Sequence, residues 1–159
     1  MRAREINKEI ERGLSDPAWK TRLMCARRMD WTPTLEQVEE GLTDNEWIVR
    51  LTWVRRTDWT PTSMIVENGL EDCDSHVRAA WANRTDWTPT TEQVEKGMSD
   101  FNTIVRLAWA NRHPFTPTRG QIDRGLRDSS KDVRDAWMRR LMNEQNGLLD
   151  CGQLAGPSA

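Results

Sequence analysis

Two histidines, three cysteines and several rows of arginines are the residues of this chain whose chemistry could extend beyond packing. His76 and His113 are far apart in sequence, and neither belongs to a nucleophile–base motif or stands at metal-ligand spacing. Cys25, Cys73 and Cys151 are too widely spaced for a CxxC site, and their odd number argues against a closed disulfide framework. They read as free thiols of a reducing compartment. Carboxylates recur at a fixed interval, which is a surface pattern rather than a two-carboxylate site. The recurrent glycines are single, so no phosphate-binding glycine loop is present. These residues point to no enzyme, no metal and no cofactor.

The arginines carry more information. Arg22, Arg50, Arg78, Arg106 and Arg134 form one row, and Arg28, Arg56, Arg84, Arg112 and Arg140 a second, reinforced by Arg27, Arg55 and Arg139. Arginine is the best bidentate donor to phosphate, so either row could track a nucleic-acid backbone. The first row is matched by Asp16, Asp44, Asp72, Asp100 and Asp128, which favours ion pairs tying each unit to its neighbour. Beside the second row, Asp30, Asp58 and Asp86 lie two residues on, and a helix-terminus role is favoured there over phosphate binding.

What positions these rows is an internal repeat. Cut every 28 residues without a gap, the chain yields five copies, 1–28, 29–56, 57–84, 85–112 and 113–140, followed by a C-terminal cap and tail at 141–159. The inner copies share DWTPTxEQVExGLxDxxxxVRxAWxxR, far too specific for a chance match. Each copy predicts two helices. Thr34 with Gln37, Thr90 with Gln93 and Thr118 with Gln121 are capping boxes opening the first; Ile65 breaks the device in the third copy. Gly41, Gly69, Gly97 and Gly125 are expected to end that helix in the left-handed conformation. Asp44, Asp72, Asp100 and Asp128 are expected as N-caps of the second helix.

Val49, Thr52 and Trp53, with their counterparts in later copies, make an i, i+3, i+4 apolar stripe. Together with Val38 and Leu42 that stripe predicts the interior. The rings Trp31, Trp59, Trp87 and Phe115 are expected to pack rather than stack bases. His76 replaces Ile48 and Ile104 of other copies, which suggests a partly buried position. In the tail, Gly147, Leu148 and Asp150 keep the spacing of GLxD and suggest a decayed sixth first helix, with residues 155–159 frayed.

This pattern resembles the leucine-rich repeat variant family and, more broadly, HEAT-like repeats. The resemblance rests on the Asp44 to Val49-Arg50 spacing, its copies, and the TPT before each short helix, over residues 1 to about 140. It implies an all-α, right-handed α-solenoid of two-helix repeats acting as a binding scaffold. One type of leucine-rich repeat variant protein carries an N-terminal cysteine cluster for an iron–sulfur centre; these residues contain no such cluster.

Composition narrows the partner. Mean hydropathy is -0.80 and the formal charge is -2, from 23 basic and 25 acidic residues. No global field attracts nucleic acid, so such binding would need local segregation of charge. No signal-like or membrane-spanning apolar run occurs, and a cytoplasmic protein is expected. Packing imposes sameness, whereas a ligand-facing surface need not. The variable positions Trp19, Leu23, Trp47, Leu51, Val54 and Leu107, rimmed by Arg27 and Arg55, are therefore the expected partner-binding patch on the inner face. The expectation is a protein-binding scaffold or inhibitor, a phage-type inhibitor of a host complex being one form of it. The alternative is a nucleic-acid backbone binder using Arg28, Arg56, Arg84, Arg112 and Arg140.

Overall fold

A computed structural model describes the backbone of residues 2–152 and the side chains of residues 5–143. The described residues contain ten helices and no strand. They fall into two compact units, Met1–Trp87 and Thr88–Ala159. In the first unit, α1 (Arg2–Leu14) packs on α2 (Trp19–Arg27), α3 (Leu35–Leu42) on α4 (Trp47–Arg55), and α5 (Ser63–Leu70) on α6 (Ser75–Asn83). The second helices also pack on one another, α2 on α4 and α4 on α6. In the second unit, α7 (Thr91–Met98) pairs with α8 (Thr103–Asn111) and α9 (Arg119–Gly125) with α10 (Lys131–Gly152), and α10 also packs on α8.

The short first helices begin where the capping boxes predict. Gln37 N–H donates to Thr34 Oγ1 at 3.3 Å, and Thr34 N–H donates back to Gln37 Oε1 at 2.9 Å. The same reciprocal pair opens α7 and α9. In the third copy only half survives: Ile65 N–H donates to Thr62 Oγ1, and no side chain returns the bond.

The glycines act differently from the expectation. None has positive φ, and Gly41, Gly69, Gly97 and Gly125 all lie inside their helices. Their role is to let a ring approach: a Cβ at Gly41, Gly69 or Gly97 would fall about 2 Å from Nε1 of Trp53, Trp81 or Trp109. In the first copy the partner of Gly13 is Cys25, whose Sγ would lie 2.2 Å away. Glycine is thus specified by side-chain packing across the helix pair, not by backbone conformation.

The aspartates are likewise displaced from their expected place. The N-cap of α4 is Glu46, that of α6 is Asp74 and that of α8 is Asn102. Asp44, Asp72 and Asp128 each accept the amide two residues on, from Glu46, Asp74 and Ser130, in an Asx turn that precedes the helix.

Val38, Val49, Trp53, Val66, Val77 and Trp81 are all buried, as the apolar stripe predicts. Thr52, expected in that stripe, is only half-buried and its hydroxyl donates back to the Ile48 carbonyl at 2.8 Å. Trp31 meets Trp53 edge-on at 6.1 Å, and Trp59 meets Trp81 at 6.0 Å, so these rings build the core of the first unit. The tail departs from expectation too. α10 runs unbroken through residues 141–152, so the GLxD-like stretch continues the last second helix and does not start a sixth first helix. Residues 155–159, expected to fray, lie outside the described residues.

Candidate protein-binding face

The first arginine row is a set of structural clamps. Arg22 Nε and Nη2 donate to the two carboxylate oxygens of Asp44 at 2.6 and 2.8 Å, and Arg22 Nη1 reaches the Asp16 carbonyl of its own copy. Arg50 repeats this on Asp72, and Arg106 on Asp128. The acid is therefore that of the following copy, 22 residues on. Burial alone would raise the Asp44 pKa. The Arg22 hydrogen bonds, the Glu46 amide and the charges of Arg22 and Arg50 outweigh it and hold the carboxyl below its ordinary range.

From Arg56 onward the second row is buried and turned inward, which weighs against its reading as a phosphate ladder. Arg56, Arg112 and Arg140 are almost fully buried, and Arg84 nearly so. Arg56 Nη1 donates to the carbonyls of Ala26 and Arg28, both at 2.7 Å, and Nη2 to that of Trp31 at 3.2 Å. Its remaining donors are taken by Asp58, at 3.0 and 2.5 Å. All five N–H groups of one guanidinium are thus satisfied. Arg84 makes the same five bonds, to Val54, Arg56, Trp59 and Asp86. Arg140 reaches the carbonyls of Ala110, Arg112 and Phe115. Each such arginine caps the C-terminal carbonyls of the preceding second helix, while its face lies 4–6 Å from two aromatic rings. Arg28, in the first copy, is half-exposed and pairs with Glu9 and Asp30.

The expected partner-binding patch is partly dismantled. Leu51 is 4% exposed and Val54 1%, and both join a core cluster with Ile65, Val66, Val77 and Trp81 of the next copy. Leu23 is buried against Val49 and Trp53, and Leu107 is half-buried. The reason is geometric. A second helix in a stack is covered by its own first helix and by the second helices on either side, so only a narrow strip remains open. On α4 that strip is Ile48, Thr52 and Arg55, with Trp47 at its edge, one position or about 100° round from the expected face.

What stays accessible is Trp19 (36% exposed), Trp47 (38%), Arg27 and Arg55, joined by Met24 and Met29. Trp19 and Trp47 open α2 and α4 at equivalent positions, and Arg27 and Arg55 close them. Between lies an open groove of about 270 Å³ lined by Arg27, Met29, Ile48, Thr52, Arg55 and Thr57. Next to Trp47 is His76, whose ring centroid is 5.1 Å away; it is exposed, not partly buried as its alignment with isoleucines suggested. Met24, Met29 and Ile48 are the site residues the sequence reading missed. For Met24 and Ile48 the signal was present, since positions 20, 24 and 27 of each copy carry mixed residue types at i, i+4, i+7 spacing.

Charge is segregated on the same elements. α2, α4 and α6 contain six basic residues and no carboxylate, whereas α3 and α5 contain four glutamates and no basic residue. A net charge of -2 conceals this arrangement. Among the described residues no group of three histidine, cysteine or acidic side chains is placed to hold a metal ion, and no helix is long and apolar enough to cross a membrane.

No family model matches the sequence, and no curated protein matches it. Among solved structures the chain is similar to one described as a leucine-rich repeat variant with a novel repetitive protein structural motif. The TM-score is 0.62 at 23% identity over 84% of this chain. The match covers 50% of that chain, so the present sequence spans half its length. The all-helical repeat architecture is thus the fold of a leucine-rich repeat variant, an α-solenoid of two-helix units.

Proposed function

We propose that this chain is a non-catalytic scaffold that binds a protein partner through the open strip of α2, α4 and α6. The observation that carries the reading is the exposure of Trp19 and Trp47 on the one helix layer that contains no carboxylate. Tryptophan and arginine are enriched among the few residues that carry most of the energy of a protein interface. Arg56, Arg84 and Arg140 are occupied by backbone carbonyls, which favours a protein ligand over a phosphate ladder built on that row. A scaffold of this kind acts by occupancy, and an inhibitor of the phage type would use the same strip.

The test is affinity capture with the full chain as bait. Trp47→Ala with Arg55→Ala should lose the captured polypeptide, while Glu39→Ala with Glu40→Ala, on the opposite helix layer, should retain it. Equal capture by both variants would place the interface elsewhere and refute the reading.

A further inference from the structure

The chemistry of the partner can be taken one step further. Two of the four arginines of α2 and α4 are committed: Arg22 to Asp44, and Arg50 to Asp72. Arg27 and Arg55 differ. Both are exposed, and among the described residues neither side chain makes an ion pair or hydrogen bond. They occupy the same register 28 residues apart, on helices that pack side by side, with exposed Asn83 next in the row on α6. Neighbouring packed helices are separated by about 10 Å, so these donors form a line at about that interval. The groove between Arg27 and Arg55 is floored by Met29, Ile48 and Thr52.

A polyproline II chain advances about 3.1 Å per residue with three residues per turn, so every third side chain points the same way at about 9 Å spacing. That period matches the helix spacing. A helical ligand, rising about 1.5 Å per residue, would need acids at seven-residue intervals to meet the same two donors, whereas the extended chain meets them with adjacent turns. Resting on the scaffold reading above, we propose that the occupant is an acidic peptide in extended, polyproline II-like conformation. Carboxylates at i and i+3 bind Arg27 and Arg55, an apolar residue between them enters the Met29–Ile48 groove, and Asn83 donates to the peptide backbone. Charge complementarity selects this occupant, because Arg27 and Arg55 are exposed cations without an acid partner and the helices that carry them contain no carboxylate.

Fluorescence anisotropy on the full chain tests this with a labelled peptide of four Glu-Pro-Leu triplets at low salt. The probe should bind saturably and weaken with added salt, while a Lys-Pro-Leu peptide and a Glu-Pro-Leu-Gly peptide, which breaks the triplet spacing, should bind far less. Arg27→Ala with Arg55→Ala should weaken binding about tenfold or more, as two charge-assisted contacts are lost. Arg119→Ala, an exposed ion-paired arginine of the other unit, should leave it unchanged. No binding of the acidic peptide, indifference to the arginine pair, or tighter binding of an oligothymidylate of matched length would overturn the proposal. If partner capture still depended on Trp47 and Arg55 in that event, the scaffold reading would survive and only the ligand class would fall.

Discussion

The indole of Trp53 occupies the space that a side chain on Gly41 would need: a Cβ there would lie 2.0 Å from Nε1. The same fit joins Gly69 to Trp81 and Gly97 to Trp109. Gly69→Ala should therefore destabilise by about 3 kcal/mol or more through overpacking, although alanine is the better helix former. In a double-mutant cycle read by urea unfolding, Gly69→Ala should cost much less when Trp81 is already Leu. Additive costs would show that the glycine is needed for some other reason.

Arg56 should behave as a core residue. Its removal strands the carbonyls of Ala26, Arg28 and Trp31 in a buried setting, and Arg56→Ala should lower stability by about 3–5 kcal/mol. Arg56→Lys should recover little, because three donors on a point charge cannot replace a five-donor planar fork. Thermal unfolding monitored by circular dichroism measures both, and a lysine variant as stable as the parent would contradict the capping role.

Acid should loosen the inter-repeat clamps. The Asp44 carboxyl has a depressed pKa in the folded chain, and so does that of Asp128, where burial works upward but the Arg106 hydrogen bonds prevail. The stabilisation is then complete above the ordinary aspartate pKa of about 4 and is lost as the pH falls through the lower folded value. Asp44→Asn should lower the unfolding midpoint at neutral pH and converge with the parent once the pH has fallen through the depressed folded value. A constant difference at every pH would mean that the charge contributes nothing.

The two sides of α4 should separate cleanly. Leu51→Ala removes a core side chain and should cost about 2–4 kcal/mol. Trp47→Ala with Arg55→Ala, on the open strip, should leave the unfolding midpoint nearly unchanged while abolishing partner capture. Lost capture by Leu51→Ala is informative only when helicity and midpoint are measured alongside it.

Thiol accessibility offers a direct check on the packing. Cys73 is exposed and Cys25 buried, and burial pushes the Cys25 thiol pKa up. In a Cys151→Ser background, Cys73 should react promptly with a thiol reagent at pH 8, and Cys25 only on the timescale of unfolding. Comparable rates would show that Gly13 and Cys25 do not close the first helix pair.

The sequence by itself determined the repeat length, the helix pairs, the capping boxes and the Val and Trp interior. Each is a local pattern: Thr34 and Gln37 are three residues apart, and Val49 and Trp53 share a face four residues apart. The pairing of the first arginine row with aspartates was legible as two matched rows. Only tertiary structure decided which copy supplies the acid, that Gly41 serves Trp53, and that Arg56 is spent on the carbonyls of the preceding helix. Periodicity finds one buried face per helix. It could not reveal that neighbouring second helices also cover Leu51 and Val54, because that burial comes from residues a full repeat away. The strip left open is a remainder of packing on three sides, and a remainder exists only once the helices are stacked.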